Sequence, residues 1–226
     1  MFLVERGDRA GDLHVDLGHR EIATVAGPQH LSNARGRLTG FADTLHKNGI
    51  GVNKAYVLYG NFRQESGFQA AQKLHSLDRP PTALFVANME MAAGVIAFVR
   101  DKGVSIPQEI SIVSFDDPLW ARYMDPPLTV VSQPVESMGR CTMELLLARL
   151  RGGKPVEMMV FTPELIVRQS TAPPGRKRVG VSACGRIGGT ALHPPMRSTS
   201  PTRSPSPSFL QKRNSALEFP FLFAWL

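Results

Sequence analysis

The chain has few of the features that mark disulfide-stabilised or membrane-spanning proteins. Its 226 residues include two cysteines, Cys141 and Cys184, too few for a disulfide framework. Cys141 falls within a helical pattern, so we expect it to be a small buried apolar residue. There is no apolar run long enough to cross a bilayer, and the first residues do not form a secretory signal. The sequence therefore predicts a cytoplasmic protein without a membrane partner.

Sequence motifs for catalysis are also lacking. The chain contains no His-Glu-x-x-His, no Gly-x-Ser-x-Gly and no glycine-rich phosphate loop. His14 and His19 are five residues apart, the wrong phase on a helix for a shared metal, and we interpret them as surface or capping histidines. Asp116 and Asp117 are adjacent, so they point to opposite sides of an extended chain and make a poor acid–base pair. We expect no enzyme activity, metal or cofactor.

Excess positive charge is confined to one end of the chain. The net charge is +7, yet residues 172–226 alone hold eight basic residues and one acidic residue. Residues 1–171 hold 18 of each sign and are neutral. The predicted globular part therefore offers no overall electrostatic attraction for DNA.

Composition changes after Thr171. The last 55 residues contain eight of the 18 prolines and a serine- and proline-rich stretch at residues 198–208. Such a segment buries too little apolar surface to offset its chain entropy, so we predict a disordered basic tail over residues 172–226. Residues 219–226 are apolar, which leaves two interpretations open: a sticky peptide or a non-native extension. Residues 1–171 are predicted to be globular.

Strand and helix patterns alternate along residues 1–171. We predict strands at residues 22–27, 56–59, 83–87, 110–115, 128–132, 156–161 and 165–167, and helices at residues 32–48, 64–77, 88–103 and 135–150. Ser32 and Asn88 are candidate N-caps, and Gly49 is the expected end of the first helix. This alternation predicts an α/β fold with a parallel sheet and right-handed crossovers.

One strand ends in a way that suggests a binding site. The apolar run at residues 110–115 stops at Asp116 and Asp117, which precede Pro118. In an open α/β sheet, ligands bind just outside the carboxyl ends of the strands, where a carboxylate can accept hydrogen bonds from hydroxyls or amines. The alternative is that the two aspartates form an Asx-turn before the proline.

Several motifs in one order resemble the effector-binding half of the LacI/GalR family of bacterial transcription repressors. They lie at residues 17–23, 26–28, 34–41, 79–88, 91–94, 106–117, 126–134 and 163–171. The resemblance covers about residues 13–171. It implies a periplasmic-binding-protein-like sensor fold, in which two lobes enclose a small effector.

The resemblance also implies that much of such a regulator is missing. We expect the chain to hold mainly the second lobe, with a returning helix and strand of the first lobe at about residues 134–161. The helix-turn-helix headpiece and nearly all of the first lobe would be absent. The apolar face of the returning helix, including Met138, Leu145 and Leu146, would then be exposed or repacked.

Five positions match ligand contacts of that family. Arg37 matches an arginine that bonds effector hydroxyls or carboxylates, and Phe62 an aromatic ring that stacks on a sugar or base. Asn88 matches a polar contact, and Asp116 matches an acid that accepts effector hydroxyls. Gln133 lies on a crossover between the lobes. The resemblance thus implies one site shared by all five residues.

Alternatives remain open for four of these residues. Arg37 could be a solvated helical arginine, Phe62 a core residue, Asn88 a helix cap alone, and Gln133 a hinge residue without ligand contact. The family usually has aspartate directly after the Asn88 position, where this chain has Met89. That departure weakens the polar network and the charge pairing at the helix N-terminus.

The sequence therefore predicts the effector-binding part of a LacI/GalR-type repressor that responds to a sugar or another small molecule. The expected partners are that effector, a second copy in the intact protein, and DNA only through the missing headpiece. Without a headpiece, no operator binding is expected. Two alternatives remain: a stand-alone sugar-binding module, and a nucleic-acid binder acting through the basic tail.

Overall fold

Strands and helices alternate in the computed structural model, which describes residues 2–4, 8–152 and 159–175. The strands are β1 (Phe2–Val4), β2 (Ile22–Ala26), β3 (Val57–Tyr59), β4 (Ala83–Val86), β5 (Ser111–Phe115), β6 (Thr129–Ser132), β7 (Met159–Phe161) and β8 (Glu164–Ile166). The helices are α1 (Asp8–Asp16), α2 (Ser32–Lys47), α3 (Gln64–His75), α4 (Met89–Asp101), α5 (Leu119–Tyr123) and α6 (Val135–Leu150). A short 3₁₀ helix, Lys54–Tyr56, precedes β3.

Six of these strands form the main sheet, in the order β3-β2-β4-β5-β6-β8. The first five run parallel, and β8 pairs antiparallel with β6. Every residue of β2, β4 and β5 is buried, which explains why these strands are mainly apolar along their length and do not alternate between apolar and polar residues. Strands β1 and β7 form a separate parallel pair. The predicted α/β fold with a mainly parallel sheet is confirmed.

Helices cover both faces of the sheet. Successive strand residues point to opposite faces, so Leu84 joins one apolar cluster and Phe85 the other. The first cluster includes Val95 and Phe98 of α4. The second includes Phe41 of α2, whose ring stacks on Phe85 at 5.9 Å between centroids. Two cores therefore hold the sheet rigidly and fix the positions at which its strands end.

Two glycines allow α3 and α4 to pack closely. A Cβ added at Gly67 would lie 2.0 Å from the carbonyl oxygen of Met91, and one at Gly94 would lie 1.9 Å from that of Gln64. Both contacts are with backbone, which cannot move aside as a flexible side chain can. The two helices must therefore separate if either glycine gains a side chain.

We expect Gly94→Ala to lower the free energy of unfolding by about 1–3 kcal/mol, the usual cost of overpacking a core. Gly36→Ala in α2 is the matched control, because nothing lies within 4 Å of its added Cβ. The control should gain up to about 1 kcal/mol from helix propensity. Urea denaturation of the two variants gives both values. Equal stability of the two variants would show that the helices do not pack as described.

The structure corrects two local predictions and agrees with two others. Leu31 occupies the N-cap position of α2, so Ser32 is already helical and makes no capping bond. Tyr56 belongs to the 3₁₀ helix rather than to a strand, because Asn53 accepts a hydrogen bond from the Ala55 amide and turns the chain. Gly49 does end α2, with a φ of +67°. Asn88 caps α4, as predicted, by accepting a 3.0 Å bond from the Met91 amide.

The apolar side chains of α6 are largely uncovered. No residue of this helix is buried, and its exposed apolar side chains are Val135, Met143, Leu146, Leu147 and Leu150. The expected exposure of Leu146 is confirmed, whereas Met138 and Leu145 are partly buried. Cys141 is only partly buried too, contrary to expectation, because the described residues on which the helix packs do not cover it.

Two further predictions concern the ends of the described residues. The tail predicted at residues 172–226 lies outside them from residue 176 onward, as does much of the strand predicted at residues 156–161. Among the helices that are described, none has both the length and the apolar character needed to cross a bilayer.

Candidate functional site

All five predicted ligand-binding residues lie at the carboxyl edge of the main sheet. Phe62, Asn88, Asp116 and Gln133 follow β3, β4, β5 and β6, and Arg37 lies near the start of the helix that follows β2. Because these five strands run parallel, their carboxyl ends share one edge. This edge is where open α/β sheets bind ligands.

Arg37 is buried at this edge, with 7% of its surface exposed. Its Nη1 donates a hydrogen bond to the Ala87 carbonyl. Its guanidinium carbon lies 3.6 Å from the ring centroid of Phe115, a cation–π contact. Burial lowers the pKa of Arg37, and the Asp116 carboxylate partly offsets this. The alternative of a solvated helical arginine is wrong, because a carbonyl and an aromatic face have replaced much of its water.

Asp116 lies next to this cation in a left-handed backbone conformation. Its φ is +74°, a backbone angle that residues other than glycine rarely adopt. Its carboxylate accepts a hydrogen bond from Nε2 of Gln133, and its amide donates to the Val131 carbonyl at 2.9 Å. The carboxylate thus has Gln133 as its hydrogen-bond donor and Arg37 as a charged neighbour. The side chain of Gln133 is therefore bonded to a residue of the candidate site.

Phe62 also has a left-handed backbone, with a φ of +64°. In the described residues, Phe62 and Asp116 are the only non-glycine residues with positive φ. Such strain persists only where the surroundings enforce it, and it is frequent at ligand sites. A Cβ on Gly27 would lie 2.1 Å from the Phe62 ring, so only glycine at that position lets the ring pack there.

Both ends of the Asn88 amide are already bonded. Its Oδ1 caps α4, and its Nδ2 donates to the Phe62 carbonyl at 3.1 Å. Asn88 therefore holds the strained Phe62 turn against the start of α4. Phe62 itself is half-buried and packs against the apolar core, which leaves part of its ring uncovered.

A second buried charge cluster was missed by the sequence reasoning. The side chain of Asp117 is 5% exposed, and its Oδ2 accepts bonds from Arg168 at 2.9 Å and Arg122 at 3.0 Å. Arg168 also donates to the Leu128 carbonyl at 2.7 Å. Burial raises the pKa of Asp117, but the arginine bonds outweigh it and hold the pKa below its usual value. Asp116 and Asp117 thus have separate partners, as expected for adjacent residues.

His14 and His19 are not surface residues, contrary to prediction. They are 0% and 1% exposed, with ring centroids 5.7 Å apart in an edge-to-face arrangement. The prediction assumed one continuous helix, but α1 ends at Asp16 and Gly18 adopts a φ of +90°. The His19 amide then bonds back to the His14 carbonyl at 3.0 Å. In the described residues, no three metal-ligating side chains come together.

Comparison with known proteins identifies the domain. Residues 12–171 match the family model described as a periplasmic binding protein-like domain. The chain belongs to this family. Its sequence is 35% identical over 170 residues to the HTH-type transcriptional repressor PurR of Shigella dysenteriae, covering 74% of the chain and 50% of that relative. The chain thus spans about half the length of the curated relatives it matches.

Solved structures give the same result. The transcriptional repressor AscG of Escherichia coli superposes with a TM-score of 0.66 at 30% identity, covering 74% of this chain and 60% of that one. The complex of the regulator CelR with cellobiose gives 0.69 at 33% identity, covering 73% and 50%. These relatives are transcriptional regulators. The predicted effector-binding domain of the LacI/GalR type is confirmed.

Proposed function

We propose that this chain senses a small molecule for a bacterial transcription repressor, and that the molecule binds at the edge holding Arg37, Phe62, Asn88, Asp116 and Gln133. The observation that carries this proposal is the buried Arg37 beside Asp116. Phe115 and the Ala87 carbonyl hold the guanidinium there, and Gln133 holds the carboxylate. Fixed partners of this kind reduce the entropy that binding must overcome.

The chemistry of the edge suits a molecule with hydroxyl or amino groups and one flat face. The Asp116 carboxylate can accept charge-assisted bonds from hydroxyls or amines, and Arg37 can donate to hydroxyls or carboxylates. The uncovered part of the Phe62 ring offers a surface for a sugar or a base. Met89 is exposed at the start of α4 and adds an apolar group beside these polar ones. A sugar or sugar derivative is the class we favour.

In the intact cytoplasmic regulator, binding would shift a conformational equilibrium. An effector that bonds both lobes favours the closed arrangement, and differential affinity for the two arrangements sets how far the equilibrium moves. The closed state would reposition helix-turn-helix headpieces on operator DNA. Gln133 lies between β6 and α6, so its bond to Asp116 connects the candidate site to the crossover.

The functional proposal is tested by screening sugars and purines for thermal stabilisation of the full chain, followed by calorimetry of the compounds that stabilise it. We expect at least one polyhydroxylated or heterocyclic compound to raise the melting temperature and to bind with one-to-one stoichiometry. Binding to the native state alone stabilises it in proportion to the logarithm of ligand concentration. No compound binding up to millimolar concentration would contradict the proposal.

A second copy of the chain is the partner that we infer for the surface around α5. Leu119, Trp120 and Tyr123 are 69%, 37% and 80% exposed. With Ile96 and Met124 they line a shallow depression of about 700 Å³. A patch of adjacent exposed apolar side chains marks an interaction surface. A solved Lac repressor with 30% identity to this chain is described as dimeric, which supports a homodimer.

We expect the double variant Leu119→Glu and Tyr123→Glu to shift the full chain from dimer to monomer. Sedimentation velocity across a range of concentrations measures the shift. The exposed residue Leu146 of α6 supplies the control, and Leu146→Glu should leave the dimer intact. Dissociation by the α6 variant alone would instead place the contact on α6.

A further inference from the structure

The amino-terminal edge of the main sheet, opposite the candidate effector site, is fastened to residues 170–172 by side chains. Ser111 Oγ donates to the Ala172 carbonyl and accepts from the Ala172 amide, both at 3.0 Å. Ser170 Oγ donates to the Ile112 carbonyl at 2.6 Å and accepts from the Thr129 amide at 2.8 Å. The Ile112 amide also donates to the Ser170 carbonyl at 2.9 Å, so the segment is held by hydroxyl groups, by one backbone bond and by one further contact.

That further contact is His19, which bonds two segments at once. Its Nε2 lies 2.9 Å from the Ala172 carbonyl, and its Nδ1 lies 2.9 Å from Thr82 Oγ1. A carbonyl only accepts, so Nε2 carries the proton and Nδ1 of the neutral ring accepts from the Thr82 hydroxyl. A protonated ring would need Thr82 to turn its hydroxyl proton to the Glu21 carbonyl, at a longer 3.4 Å.

His14 makes a charge at this place still less favourable. Its ring is fully buried, and neither ring nitrogen has a hydrogen-bond partner. A protonated His14 would lack an acceptor and would face His19 at 5.7 Å. Burial, with a smaller contribution from His19, lowers the pKa of His14 to about 3. Burial also lowers the pKa of His19, although its bond to Ala172 opposes this.

Other titratable groups do not offset the lowered pKa of His14. Strands β4, β5 and β6 face α1 and contain no ionisable residue. Helix α2 also packs on α1, but none of its charged residues contributes to the pKa of His14. Among the described groups, His19 is the one titratable neighbour that does. No carboxylate among the described residues therefore favours a proton on either ring.

We propose that His14 and His19 form an acid-sensitive latch, which holds residues 170–172 on the sheet while both rings are neutral and releases them when opening lets the rings take up protons. Opening returns each ring to water, where its pKa is near 6.5. Below that pH, each histidine that gains a proton on opening raises the opening constant about tenfold per pH unit. The carboxyl edge with Arg37 and Asp116 has no part in this step.

Hydrogen exchange of the full chain between pH 7.5 and 4.5 tests the latch, after correction for the intrinsic pH dependence of exchange. We expect protection of the Ala172 amide to fall before that of the central strand β4. His14→Leu replaces the imidazole with an apolar side chain and so removes one titrating group. At pH 4.5 it should leave the Ala172 amide about 100-fold better protected than in the parent chain, since two pH units separate 4.5 from 6.5. His30→Leu, at an exposed position, should change nothing.

The proposal is overturned if His14→Leu and the parent chain lose protection at Ala172 with the same pH dependence. It is also overturned if Ala172 and β4 exchange together at every pH, because opening would then be global unfolding. Should His14→Leu fail to fold, imidazole NMR of the parent chain decides. A His14 ring that stays neutral in the folded state below pH 5 supports the latch, and one that titrates near pH 6.5 contradicts it.

Discussion

Replacing Asp117 with asparagine should lower the free energy of unfolding by about 3–5 kcal/mol, the usual cost of removing one partner from a buried ion pair. The Asp117 and Arg168 side chains are only 5% and 13% exposed, so the arginine would keep its charge in a poorly hydrated place. Urea denaturation at pH 7 measures the loss. Because the pKa of Asp117 lies below its unfolded value near 3.8, this stability is complete above that pH and is lost as pH falls through the folded pKa.

The two arginine partners provide an internal comparison. Arg122 is 57% exposed, so Arg122→Ala should cost no more than about 1 kcal/mol, as for other surface ion pairs. Arg168→Ala should cost several times more, because it leaves the Asp117 carboxylate buried and also removes the bond to Leu128. Asp125→Asn, at an exposed position, is the matched control for charge removal. Similar losses for Arg122→Ala and Arg168→Ala would show that burial does not decide the effect.

Asp116→Asn should weaken effector binding by about 10–150-fold, equivalent to about 1.5–3 kcal/mol. The substitution keeps the side-chain shape but removes the charge that strengthens bonds from hydroxyls or amines. It also leaves Arg37 without its nearby carboxylate. Calorimetry of both forms, with the tightest compound found by screening, measures the difference.

Two controls separate a binding effect from a folding effect. Asp125→Asn should bind the compound as the parent chain does, since that position is exposed and lies outside the five-residue edge. The free energy of unfolding of Asp116→Asn is measured alongside, so that any stability lost by leaving the buried Arg37 without a nearby carboxylate is separated from the loss of affinity. Equal affinities of the parent chain and Asp116→Asn would remove Asp116 from the site.

Much of the fold could be predicted because its central strands are mainly apolar along their whole length. The strands β2, β4 and β5 lie within one residue of their predicted bounds. Helices α1 and α5 were missed. Helix α5 has only five residues, too few to show a helical period in the sequence. It begins directly after Pro118, which occupies its N-cap position. The α1 helix ends at a reversal that spacing alone does not show.

The candidate site was predictable where a residue closely follows a strand, as Asn88 follows β4 after one residue and Asp116 follows β5 directly. The burial of Arg37 was not predictable from the sequence. It depends on contacts with Phe115 in β5 and with Ala87 just after β4, two residues that the fold brings to the same point. The contact between Asp117 and Arg168 joins residues 51 positions apart, and no local pattern signals it. The positive φ of Phe62 was equally hidden, because the sequence has no glycine at that position.

The most direct test of the proposed effector site is a chemical-shift map. The tightest compound found by screening is titrated into the isotopically labelled full chain, and perturbations are followed by NMR. We expect the largest changes at the carboxyl edge, including the Arg37 side chain and the amides of Asn88, Asp116 and Gln133, with His14 and His19 unchanged. Perturbations concentrated at α6 or at the histidine edge, with those four residues unaffected, would contradict the proposed site.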